Sequence, residues 1–134
     1  GTRDFSSFLS IQKGLEYSES FGPNKVKNYN HSLAIAAAKK VAEIWGTKVL
    51  TEDERCVGYL SNVEVPNSDP SLCYSIALEM MDKDNCFPVI FSFDGKVFTR
   101  LSAQIFNDLT DYEFMATRFL ERLKERQSKS LKKK

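Results

Sequence analysis

The sequence predicts an α+β fold: an antiparallel β-meander of four to five strands packed against two main helices, with a short N-terminal helix ahead of them. Three observations predict it. Small and apolar residues recur at helical spacing between His31 and Trp45. From Val49 to Leu101 the pattern changes to alternation, broken by turn residues. A capping signal at Thr110 then opens a second apolar stripe of helical period.

In chain order, Phe5, Phe8, Leu9 and Gln12 share one helical face between Asp4 and Gly14, which predicts a short first helix. Leu15 to Asn30 contains Gly22-Pro23 and several asparagines and reads as a loop. The next helix is predicted over His31–Trp45, capped by Asn30 and terminated at Gly46. Its stripe is Ala34, Ala37, Ala38, Val41, Ile44 and Trp45, and the alanines suit close approach to a sheet.

Val57, Tyr59, Ser61, Val63 and Val65 alternate up to Pro66 and read as a strand. Leu72, Tyr74, Ile76, Leu78 and Met80 alternate with Cys73, Ser75, Ala77 and Glu79, which predicts another. Phe87–Phe93 and Val97–Leu101 form a hairpin about Asp94-Gly95, a pair suited to the positive φ angles of a type I′ turn. That loop sets Phe91 opposite Phe98 and Ser92 opposite Val97, and it leaves both faces of the ribbon apolar. Thr110 and Glu113 fit a capping box, with Leu109 and Phe114 in the staple positions. Tyr112, Met115, Ala116, Phe119, Leu120 and Leu123 follow on one face.

At 134 residues the chain is long enough for one domain with a true core. The predicted organisation is a single globular domain over 1–127 and a basic, disordered tail over 128–134. The formal charge of +1 conceals an uneven division. Residues 1–117 hold 11 basic and 16 acidic groups, a net of −5, whereas residues 118–134 hold 8 and 2, a net of +6. The beginning Gly1-Thr2 and the ending in lysines read as a domain excised from a longer protein. Cys56, Cys73 and Cys86 share no metal-type spacing and read as free thiols of an intracellular, reducing compartment, nucleus or cytoplasm. No apolar run is long enough to cross a membrane.

Chemistry-bearing patterns are sparse. His31 is the single histidine and reads as an exposed first-turn residue. Asp82-x-Asp84 begins like a calcium loop, but Phe87 and Phe93 stand where the glycine and the glutamate belong. Phosphate-binding glycine loops, HExxH and GxSxG are absent. The expectation is therefore a non-enzymatic module with no catalytic residues, no metal, no cofactor and no small-molecule substrate. It would serve as an adaptor or dimerisation domain whose partner is another protein or a second copy. Its contact residues would be Phe91, Phe93 and Phe98, with Tyr112 and Phe119 beside them. The alternative is an RNA- or DNA-binding accessory domain using Lys96, Arg100, Arg118, Arg122, Arg126, Lys132, Lys133 and Lys134. The element order resembles that of a double-stranded-RNA-binding domain, but Asp108, Asp111 and Glu113 at the entrance of the last helix would repel phosphate.

Overall fold

The first long helix starts well before its apolar stripe. In the computed structural model, which describes the backbone of residues 3–131 and the side chains of residues 3–129, helix α3 spans Pro23–Trp45. Gly22 precedes it at φ +83°, and Pro23 occupies the first turn, where a missing N–H costs nothing. The Gly-Pro step thus begins a helix rather than a loop, so Asn30 and His31 lie in mid-helix. Ahead of it, α1 (Ser6–Leu9) and α2 (Ile11–Ser20) cover the expected short helix and run on into the expected loop, the rest of which from Pro23 belongs to α3. Neither buries a side chain, and Phe5, Phe8, Leu9, Ile11, Leu15 and Tyr17 are exposed. Helix α3 ends at Gly46, whose φ of +66° lets Gly46 and Thr47 donate N–H bonds back to Glu43 and Ala42.

The sheet has three strands, not four or five: β1 (Leu60–Glu64), β2 (Val89–Phe93) and β3 (Lys96–Ser102), ordered β1–β3–β2 and antiparallel throughout. A single bridge from Val49 to Val63 extends the β1 edge. The hairpin closes on Asp94 (φ +48°) and Gly95 (φ +71°), with Phe91 paired to Phe98 and Ser92 to Val97.

The strand expected over Leu72–Met80 is helix α4 (Pro70–Asp84), and this removes the meander. Its apolar run carries both periods. Cys73, Ile76, Ala77 and Met80 are the buried side chains, spaced for one helical face, whereas Tyr74 and Leu78 of the supposed strand face are exposed. Asp69 decides the matter locally: its carboxylate accepts from Ser71 N (2.9 Å) and Leu72 N (3.2 Å), and Pro70 fills the first helical position.

Helix α5 spans Leu109–Leu131, so residues 128–131 continue it, and Lys132, Lys133 and Lys134 lie outside the described residues. Asp108, rather than the Thr110–Glu113 box, caps it by accepting from Thr110 N at 2.8 Å. Helix α3 packs on β1, β3 and α5, while α4 packs on β2 and α5. Val63, Val97 and Leu101 from the sheet meet Val41 and Trp45 of α3 and Phe119 of α5 in the core. The alanines bring α3 close enough for Ser61 Oγ to donate to the Ala34 carbonyl at 3.0 Å.

Candidate functional site

Alternation along β3 separates two faces. Val97, Thr99 and Leu101 point to the core, leaving Phe98, Arg100 and Ser102 on the opposite face. In register with them, Asn62 and Val89 flank Arg100, while Glu64 and Phe91 flank Phe98. Phe98 is only 4% exposed on this face because Phe91 stacks on it at 6.0 Å and Phe93 meets it edgewise at 6.5 Å. Phe93 itself remains largely exposed.

Arg100 is the distinctive group. Its backbone is fixed by ladders on both sides, its side chain is exposed, and it has no ion-pair partner among the described residues. The other basic residues singled out from the sequence that lie among the described residues are already engaged. Lys96 Nζ lies 2.8 Å from Glu64 Oε2. Arg118 reaches Asp84 (3.1 Å) and Glu121 (2.9 Å). Arg122 bridges Asp84 (2.5 Å) and Glu79 (2.9 Å), and Arg126 pairs with Glu79 at 2.8 Å. Lys83 and Arg126 hydrogen-bonded to Glu79 hold its carboxyl down at about 2. Arg122 and then Arg118 also hold Asp84 low. These arginines join α4 to α5 and spend their charge on carboxylates rather than offering a cationic stripe.

Tyr112 and Phe119 lie in the core and present no surface. The Tyr112 hydroxyl donates to the Ser102 carbonyl at 2.8 Å, and Phe119 rests on Trp45 at 5.3 Å between ring centres. Of the five aromatic contact candidates, Phe91, Phe93 and Phe98 are brought together beside Arg100; the other two are not.

A cavity of about 710 Å³ lies between α3, residues 46–57 and the start of β1. Its lining includes Ala38, Ala42, Val49, Val57 and Leu60, and Lys39 and Glu54 pair at 2.6 Å beside it. Among the described residues, no group of three or more His, Cys, Asp or Glu is placed to hold a metal. Burial pushes the Cys73 thiol up to about 11, so it is an inert packing group near neutral pH. No helix among the described residues is long and apolar enough to cross a membrane.

No family model matches the chain. In sequence it is similar to two enzymes. It is 26% identical to the hercynylcysteine sulfoxide lyase of Schizosaccharomyces pombe, over 85% of this chain and 29% of the relative. It is 25% identical to the L-cysteine desulfhydrase of Arabidopsis thaliana, over 93% of this chain and 32% of the relative. In structure it is similar to a cysteine desulfurase from Thermococcus onnurineus, with a TM-score of 0.66, 17% identity and coverage of 93% of this chain and 32% of that one. It also resembles the 8-amino-7-oxononanoate synthase of Francisella tularensis, with a TM-score of 0.59, 10% identity and coverage of 84% and 31%.

The fold is thus that of one segment of large enzymes, and the chain spans less than a third of the curated relatives it matches. These likenesses overturn the expectation of a non-enzymatic adaptor or dimerisation domain, and they lend no support to the nucleic-acid alternative. Sequence reasoning missed this because no motif of fixed spacing marks the chain. In sequence Arg100 is one cation among several, and its neutral cross-strand neighbours Asn62 and Val89 emerge only once the strands are in register.

Proposed function

We propose that this chain is one domain of an enzyme acting at the sulfur of a cysteine-type amino acid, and that Arg100 binds the carboxylate of that substrate. The observation that carries the reading is the open guanidinium of Arg100 on a rigid central strand. A guanidinium presents a planar fork of donors that matches a carboxylate two bonds at a time. A site built on a strand holds that fork more accurately than one on a loop. The aromatic pair Phe91 and Phe98 on the adjacent register row supplies a firm apolar border.

Both curated relatives carry sulfur-containing amino acids in their names, which favours this substrate class. Removing sulfur from such a substrate develops negative charge beside its amino group, for which pyridoxal phosphate is the usual electron sink. The described residues do not fit that cofactor. Its aldehyde needs a lysine held in a desolvated site, and no described lysine is buried. The part played by this chain is therefore to orient the substrate.

In the full-length protein, Arg100→Gln is expected to reduce kcat/KM for sulfide release from L-cysteine by roughly 10–100-fold, the worth of a charged hydrogen-bonded contact. Arg100→Lys, which keeps the charge but loses the fork, is expected to recover only part of it. An Arg100→Gln protein that is folded and has parent kinetics would remove the assignment.

A further inference from the structure

We infer that the Lys96–Glu64 ion pair is a positioning device that keeps Arg100 open for a substrate carboxylate. The inference rests on the reading of Arg100 just proposed. Along β3, Lys96, Phe98 and Arg100 occupy the same face two residues apart. Glu64 of β1 stands directly opposite Phe98, the middle member of that row. It is therefore a diagonal neighbour of both cations. Such diagonal Cβ positions lie about 7–8 Å apart, within reach of long side chains.

On the three strands this face carries no other carboxylate. The residues of β2 on it are Val89, Phe91 and Phe93, and the other β1 residues on it are Leu60 and Asn62. Glu64 thus has two cations to choose from, and the structure shows the choice. It lies 2.8 Å from Lys96 Nζ, and Arg100 is left without an anion among the described residues. The side chain of Glu64 is only 27% exposed, so its carboxylate retains a need for a partner. If Lys96 is removed, the remaining cation on that diagonal is Arg100, whose fork suits a carboxylate better than a lysine does. A carboxylate tethered on the neighbouring strand then competes with the substrate at a high effective concentration. Lys96 touches no substrate in this scheme; it acts through Glu64.

The test is a double-substitution cycle in the full-length protein, measuring sulfide release from L-cysteine and, separately, thermal unfolding. Lys96→Gln is expected to raise KM about 5–10-fold with kcat near the parent value, as loss of uniform binding requires. Lys96→Gln with Glu64→Gln is expected to return KM to within about twofold of the parent, because the competing anion is gone. A merely structural ion pair gives the opposite result, with the double variant no better than the single one. The inference is overturned if Lys96→Gln leaves KM unchanged or if the second substitution fails to restore it. Arg100→Gln in the same assay keeps the two claims apart. If it is active as the parent, the carboxylate reading itself fails; if it is impaired while the cycle shows no rescue, only the role of Lys96 fails.

Discussion

Replacing Phe119 with alanine is expected to lower the unfolding free energy by about 4 kcal/mol, near the upper end for a large-to-small change in a core. The side chain is fully buried in the middle of α5 and meets Trp45, the last residue of α3, at 5.3 Å with a tilt of 48°. Trp45 is itself tied to α5 by its indole N–H, which donates to the Ala116 carbonyl at 2.8 Å. Phe119 therefore stands at the joint between the two longest helices. Neither can close the space without breaking that bond. Urea unfolding of the alanine and leucine variants checks this: the leucine change is expected to lose about a third as much, because it leaves a smaller cavity. A loss below about 1 kcal/mol for Phe119→Ala would mean that the helices collapse into the gap.

Arg122→Met is expected to lower the thermal midpoint by about 10 °C and to change its response to acid. The Arg122 side chain is 12% exposed and reaches Asp84, whose side chain is 5% exposed, together with Glu79 at 21%. Removing it leaves an enclosed carboxylate with only Arg118 as a partner. The sign of the pH effect follows from the direction of the shifts. Glu79 is held down at about 2, and Asp84 is held below its ordinary value. Carboxyls that are lowered in the folded state stabilise it fully above their unfolded pKa and lose that contribution as pH falls through the folded value. The parent is therefore expected to lose stability from about pH 5 down toward pH 2, and the Met variant to show a shallower slope. Parallel slopes in thermal melts across that range would count against the network as the source.

Much of this architecture is legible locally. The Asp94-Gly95 hairpin follows from two turn residues and the alternation on either side, and the α5 stripe follows from five or six apolar positions. Helix α4 is not legible in the same way, since an almost continuous apolar run satisfies both a period of two and a period near 3.6. Asp69-Pro70 favoured the helix, but Asn67–Ser71 reads equally well as a turn. Gly22-Pro23 shows the same ambiguity, with a loop signal occupying a helix entrance. The functional face depends on contacts between distant residues. Arg100 stands out in sequence only as one more cation. Its openness becomes visible once Glu64 is in register with Phe98 and bonded to Lys96. The fate of Arg118, Arg122 and Arg126 likewise waits on α4 being a helix that sets Glu79 and Asp84 against them.

The first two helices have a consequence for how the chain behaves in solution. Isolated helices this short, four and ten residues, are marginal in water, because nucleation is costly and few backbone bonds offset it. With no side chain of α1 or α2 buried, almost no packing free energy opposes their opening. Amide exchange across Ser6–Ser20 thus becomes a direct gauge of cover. Its deuterium uptake should be near the unprotected rate when the apolar side chains face water and should slow sharply when another surface encloses them.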